Sequence, residues 1–257
     1  MEEMSTTVTQ DPTTTLPDTS TTELPTTVAE TTLPTTTAAP IPTFTWNLID
    51  ITNNIVIGQY YNLTVIGPSA IKNSGLSFTG GVQYLQFGTH AHSCLLNPMA
   101  CQVNGFTFQF TFEYTKIEEN TYLLTSGGET PDGPGMAIVY RFGQLQIVMS
   151  TLKLSWYTSV SKNEIPKNTP TTMTISWNVN IGLEVFVNNV FVTANTLPVP
   201  HNPTPTNVSI VYFGKQTTIS TKVEFVLQTV TIWHAHIDLL VTLGYCPSPV
   251  RPTGRFI

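Results

Sequence analysis

Charge is scarce in this chain. Of its 257 residues only 10% are Asp, Glu, Lys or Arg, against about 25% in an average globular protein. Residues 1–43 contain no Lys or Arg but six acids (Glu2, Glu3, Asp11, Asp18, Glu23 and Glu30). Residues 44–257 contain ten acids and ten bases, so the net charge of −6 belongs to the first 43 residues. A neutral domain behind an acidic segment excludes a basic nucleic-acid binder, which needs cations to replace phosphate counterions. It also excludes a polybasic membrane-surface protein. No apolar run approaches the length of a membrane span; the densest, Ile237 to Tyr245, is nine residues long and contains Asp238. Aromatics are absent before Phe44, and the whole chain holds three cysteines.

Residues 1–43 instead hold 17 Thr, 2 Ser and 6 Pro. A segment so poor in apolar side chains cannot offset its chain entropy by burial and is expected to be disordered. Proline at this density favours extended backbone, and Thr-rich tracts with Pro read as O-glycosylated, mucin-like stalks. The opening Met1 to Met4 carries neither the positive nor the apolar region of a signal peptide. A Thr/Pro stalk has little use in the cytosol, so a chain cut from a longer extracellular protein is expected. The proline-rich tail 247–257 reads the same way.

Residues 44–246 predict one domain with a period of two. Phe106, Phe108, Phe110 and Phe112 alternate with Thr107, Gln109 and Thr111, the pattern of a strand buried on one face. Met173, Ile175 and Trp177 repeat it. Asn188-Asn189 between Val-rich runs predicts a tight hairpin, and a second hairpin turns near Gly143. Pro131 to Gly135 reads as a loop. Further strands are expected at Leu76–Phe78, Gln83–Phe87, Tyr122–Thr125, Lys153–Thr158, Val208–Phe213 and Val223–Trp233. About a dozen short strands without a helical stripe predict an all-β, two-sheet antiparallel jelly-roll sandwich.

Several motifs resemble laminin-G-like domains, which share the concanavalin-A-like jelly roll. Leu76, Phe78, Gly80, Tyr84 and Leu85 match their entry strands. Cys94-Leu95-Leu96-Asn97-Pro98-Met99-Ala100-Cys101, followed by Gly105-Phe106-Thr107, is similar to an animal extracellular subset with a short cysteine loop. Leu123 to Gly128 resembles the next strand, and Thr229 to Trp233 the closing one. The resemblance spans roughly residues 45–246. It implies an extracellular, non-catalytic module that binds a glycan or a protein ligand. A structural matrix component is the alternative, and a calcium-dependent lectin of pentraxin type a third.

The resemblance also implies a Cys94–Cys101 disulfide. Closing this loop would remove roughly 2.5 kcal/mol of unfolded-state entropy in the chain-entropy model; two free thiols are the other reading. Cys246 is left over, and the spacing does not suit zinc. Asn62-Leu63-Thr64 and Asn207-Val208-Ser209 are N-glycosylation acceptors if the chain is secreted. No cofactor is assigned; for calcium, the family's commonest ion, Asp132 is the one nameable candidate. His90-Ala91-His92 and His234-Ala235-His236 would each set two imidazoles on one face if extended, a conceivable transition-metal grip. Tyr60, Tyr61, Trp156, Tyr157 and Tyr245 are the candidates for stacking on sugar.

Catalytic patterns are missing. The retaining glucanases of this fold place two carboxyls roughly 5–5.5 Å apart, and no Glu-x-Asp-x-Glu occurs. The adjacent Glu118 and Glu119 are expected in a loop. No nucleophile elbow or phosphate loop occurs either, so no enzyme is expected.

Overall fold

Phenylalanine at every second position from 106 to 112 gives one strand a continuous apolar face, and the fold is built around it. The computed structural model describes residues 41–58, 61–67, 70–79, 83–87, 94–127, 133–201, 211–214 and 223–239. Among these residues seventeen strands form one hydrogen-bonded ladder that folds into two layers. In chain order they are β1 (Phe44–Thr52), β2 (Ile55–Gly58), β3 (Leu63–Ile66), β4 (Ala70–Lys72), β5 (Gly75–Phe78), β6 (Tyr84–Gln86), β7 (Phe106–Lys116), β8 (Thr121–Thr125) and β9 (Gly135–Arg141). Then come β10 (Gln144–Ser150), β11 (Leu154–Ser161), β12 (Thr171–Asn178), β13 (Gly182–Val187), β14 (Val190–Asn195), β15 (Val199–Pro200), β16 (Tyr212–Phe213) and β17 (Glu224–Trp233).

The first layer runs β17-β7-β12-β13-β14, all antiparallel. β5 and β1 share the other edge of β17, at Phe225–Leu227 and Thr229–Ile232, and β4 pairs outside β5. The second layer runs β2-β3-β6-β16-β8-β9-β10-β11-β15. β1 belongs to both: its start pairs with β17, its end turns back into β2, and a register shift between Trp46 and Ile51 lets it cross over. Bulges of this kind bend a strand and raise its twist.

The core fills the space between the layers. Phe106, Phe108, Phe110 and Phe112 of β7 are all buried, as are Met173, Ile175 and Trp177 of β12. They meet Phe213 and Trp156 from the second layer: Phe110 lies edge-on to Phe213 at 5.2 Å between ring centroids, and Trp177 edge-on to Trp156 at 5.3 Å. Edge-to-face pairs at this distance add to simple burial. This is the all-β sandwich that the alternation predicts. The hairpins are where their turn residues place them. Asn188 and Asn189 take φ of 50° and 64°, and Phe142 and Gly143 take 54° and 74°, the left-handed pairs that match strand twist. Glu118 and Glu119 fall between β7 and β8.

Four strands before Lys72 were not expected from the pattern, although two of their turns, Asn53-Asn54 and Asn73-Ser74, have the same positive φ. The 3-10 turn Pro98–Asn104 begins inside the loop that a Cys94–Cys101 disulfide closes, with the two Cα atoms 5.5 Å apart. Leu95 and Leu96 of that loop are buried in the core, and the Ser126 hydroxyl donates to the Leu95 carbonyl. Gly105, at φ 64°, leads from the turn into β7; a Cβ there would stand 2.0 Å from the Trp177 carbonyl oxygen, so glycine is required.

Candidate functional site

Strand alternation sends every second residue of the second layer away from the core. Register then joins those residues across strands that are far apart in sequence. Thr64 of β3 stands opposite Gln86 of β6, Gln86 opposite Tyr212 of β16, and Tyr212 opposite Thr125 of β8. Thr125 stands opposite Ala137 of β9, Ala137 opposite Val148 of β10, and Val148 opposite Tyr157 of β11. One row thus crosses seven strands, about 29 Å at the usual strand spacing. The neighbouring row, Val65, Leu85, Phe213, Leu124, Ile138 and Ile147, is wholly buried and faces the core.

The outer row is not uniform. Its middle is closed: Thr125, Ala137 and Val148 are buried, and Ala137 and Val148 form with Val139 and Tyr122 of the next outer row a small cluster separate from the main core. A phenol borders each end of that middle, and the row runs on past Tyr212 to Gln86 and Thr64. Tyr157 is 44% exposed. At the other end Tyr212 is half-buried and lies edge-on to Tyr84, with ring centroids 5.4 Å apart. Burial, reinforced by Tyr84, raises the Tyr212 phenol above its ordinary value of 10.0, so it stays a neutral donor and acceptor at physiological pH. Arg141 closes a third side: its guanidinium lies 5.5 Å from the centre of the Tyr122 ring and donates to the Tyr122 hydroxyl at 2.7 Å. The face therefore offers rings for stacking, amides from Gln86 and Gln146, hydroxyls and one cation.

Where β11 meets β15, His201 is buried and hydrogen-bonded to the Gly133 backbone, and its amide donates to the Lys153 carbonyl at 2.8 Å. Burial holds its imidazole below the ordinary 6.5, partly offset by the Gly133 bond. Ser150 and Ser155 pair through their hydroxyls next to it.

The residues singled out from sequence divide unevenly. Tyr157 lies on the outer row, and Tyr61 is 38% exposed beside Phe44, at 5.3 Å between centroids. Trp156 is fully buried; it neighbours Tyr157 on one strand and so points the opposite way, into the core, and cannot stack on a ligand. Asn62 is exposed, and its carbonyl oxygen accepts from the Gly58 amide at 3.3 Å. Tyr60, Tyr245, Asp132, Asn207, Cys246, His90 and His92 lie outside the described residues.

The His234–His236 pair does not share a strand face, because β17 ends at Trp233 and the chain bends. His234 lies edge-on to Phe44 at 5.3 Å, whereas the His236 Nε2 sits 3.0 Å from a buried Glu184 carboxylate oxygen. The backbone of this segment is pinned as well. The Thr107 hydroxyl donates to the Ala235 carbonyl, and the Ile237 amide reaches both Thr107 and Ser176 oxygens, at 2.9 and 3.2 Å. These groups latch the chain over the outer side of the first layer. Among the described residues no group of three His, Cys, Asp or Glu side chains could hold a metal, and no helix is long and apolar enough to cross a membrane.

Sequence reasoning missed Tyr84, Tyr212 and Arg141. Parity within Tyr84-Leu85-Gln86 and Tyr212-Phe213 marks which face each residue takes, but only register brings the strands together.

No family model matches the chain, and no curated protein matches it. Solved structures do. The botulinum neurotoxin serotype D ligand-binding domain in complex with N-acetylneuraminic acid superposes with a TM-score of 0.57 at 10% identity, covering 79% of this chain and 50% of that one. The receptor-binding domain of the C/D mosaic serotype gives 0.54 at 8% identity, over 79% and 50%. The neurotoxin DC binding domain in complex with rat synaptotagmin II gives 0.52 at 12% identity, over 79% and 51%. The chain spans about half the length of these structures. At such identity the likeness is one of fold, an all-β sandwich.

Proposed function

We propose that this chain is an extracellular, non-catalytic binding module that recognises a glycan or protein ligand through the tyrosine-edged outer face of its second layer. The observation that carries this reading is the outer row itself, Thr64-Gln86-Tyr212-Thr125-Ala137-Val148-Tyr157, in which a closed stretch from Thr125 to Val148 lies between the exposed Tyr157 and the half-buried Tyr212, with Gln86 and Thr64 beyond. Aromatic rings beside amides and hydroxyls present an apolar face and directional polar groups together, the usual makeup of a specific binding surface. Support from the similar folds is of the same kind: the solved neurotoxin domains include complexes with N-acetylneuraminic acid, with SialylT and with rat synaptotagmin II. Kinship with laminin-G-like domains, the secreted location, the mucin-like stalk of residues 1–43 and N-glycans on Asn62 and Asn207 belong to the same proposal.

The test is a glycan array probed with the full chain, secreted from animal cells behind a borrowed signal peptide, first in calcium and then in chelator. Saturable binding in both conditions supports the outer face as a metal-free sugar site. Binding lost in chelator would move the site to a calcium-bearing loop. Silence in both conditions removes the glycan and leaves a protein ligand or a matrix role.

A further inference from the structure

Two isoleucines of β2 face solvent side by side. Ile55 is 38% exposed and Ile57 49%, while Val56 between them is buried. The other exposed positions of β1 and β3 carry Thr45, Asn47, Asp50, Thr52 and Thr64, with Ile49 the exception. Threonine suits a strand as well as isoleucine does, so strand formation alone does not call for these methyls in water.

Register says what stands next to them. Ile55 is opposite Thr64 and Val56 opposite Leu63. The same register carried one residue on sets Ile57 opposite Asn62, and the Gly58 amide donates to the Asn62 side-chain oxygen there, at 3.3 Å. Directly opposed residues bring their Cβ atoms to about 4.5–5.5 Å. Asn62, Leu63 and Thr64 are the sequon; Leu63 is buried, whereas Asn62 and Thr64 are exposed. The acceptor amide, the hydroxyl that completes its motif and both isoleucines thus form one square on the outer side of the sheet. Asn62 is also held in place. The Trp46 indole donates to the carbonyl of Tyr61, the residue before it, at 2.6 Å, and the Gly58 bond occupies the amide oxygen and leaves Nδ2 as the outward end.

We propose that an N-linked glycan on Asn62 covers Ile55 and Ile57, its first N-acetylglucosamine lying across them. The inference rests on the secreted location in the reading above, not on its ligand. In the attachment step the Asn62 Nδ2 loses a proton and bonds to the anomeric carbon, displacing the diphosphate of a lipid-linked oligosaccharide. A pyranose ring carries C–H groups on its faces and hydroxyls round its rim, and the acetamide adds a methyl. Laid against the two isoleucines, it takes apolar surface out of water while its hydroxyls stay wet. The sugar is tethered to the opposite strand, so it meets the patch at a high effective concentration. A partner from solution would first have to displace it.

The test uses the full chain secreted from animal cells behind a borrowed signal peptide. Wild type, Asn62→Gln, Ile55→Thr/Ile57→Thr and the combined triple variant are compared. Peptide mass mapping reads the occupancy of Asn62, and heat unfolding reads stability. Asn62 is expected to carry glycan in both forms that keep it. Asn62→Gln is expected to melt about 3 °C below wild type. On the Ile55→Thr/Ile57→Thr background the same change is expected to shift melting by less than about 1 °C, because the sugar has lost the surface it covers. The Gly58 bond to Asn62 is lost in both comparisons, so it cancels. Enzymatic release of the glycan from folded wild type and Ile55→Thr/Ile57→Thr repeats the comparison without touching Asn62. A bare Asn62 in the secreted wild type overturns the inference, as do equal shifts on the two backgrounds. A chain that shows this coupling yet binds nothing on the array keeps the glycan contact and loses only the glycan-ligand reading.

Discussion

Removing the imidazole of His236 should cost far more than its place near the end of the last strand suggests. Glu184 sits in the middle of β13 with its side chain 2% exposed, and the His236 Nε2 lies 3.0 Å from its carboxylate. In His236→Ala that buried carboxylate loses this partner. Hydrogen bonds to charged groups are worth about 1.5–3 kcal/mol, and a buried carboxylate that loses a donor lies at the upper end of that range. About 3 kcal/mol is therefore expected. With a urea m-value of about 2 kcal/mol per molar, the unfolding midpoint should fall by about 1.5 M with m unchanged. The double variant Glu184→Gln/His236→Ala should recover part of the loss, because the buried carboxylate is what makes losing the imidazole expensive. Hydrogen exchange should report the same event as faster exchange of the Ile237 amide, which the Thr107 and Ser176 hydroxyls hold. A midpoint shift below about 0.3 M, or a double variant no better than the single, would refute the latch.

Two further predictions follow from buried groups. Cys94→Ser/Cys101→Ser should lose roughly 2.5 kcal/mol in the chain-entropy model, read by urea unfolding, with Leu95 and Leu96 coming loose from the core; an unchanged midpoint would show that the loop is held without the bond. Stability should also fall on mild acidification, because burial depresses the His201 imidazole below 6.5. The unfolded chain takes up that proton first, so stability declines from about pH 6.5 downward until the folded imidazole protonates as well. His201→Gln should flatten that part of the profile, and a parallel profile would disprove the assignment.

Much of this architecture was legible wherever alternation was clean. Phe106 to Phe112 and Met173 to Trp177 advertise strands with an apolar core face, although Thr107, Thr174 and Ser176 on the face expected to be wet are buried as well, and Asn188-Asn189 advertises its turn. The strands of residues 44–72 were harder to read because isoleucines stand on both faces: Ile49, Ile55, Ile57 and Ile71 are exposed, so apolar character no longer reports burial. The site was less legible than the fold. Tyr84, Tyr157 and Tyr212 belong to three strands spread over about half the chain, and only hydrogen-bond register aligns them. Strand parity alone says that Trp156 and Tyr157 take opposite faces, yet not which of them faces the core. The histidine pair failed for a local reason: extended geometry was assumed from His234 to His236, although β17 stops at Trp233 and the chain bends there.

The central claim is that the outer row binds a ligand, and a titration tests it most directly. The glycan bound most tightly on the array would be titrated by calorimetry into wild type, Tyr157→Ala and Tyr84→Ala. The account predicts that Kd rises at least tenfold in one or both variants, with unfolding midpoints within about 0.5 M urea of wild type, since neither ring belongs to the main core. Unchanged Kd in both variants would contradict it and move the site off this face.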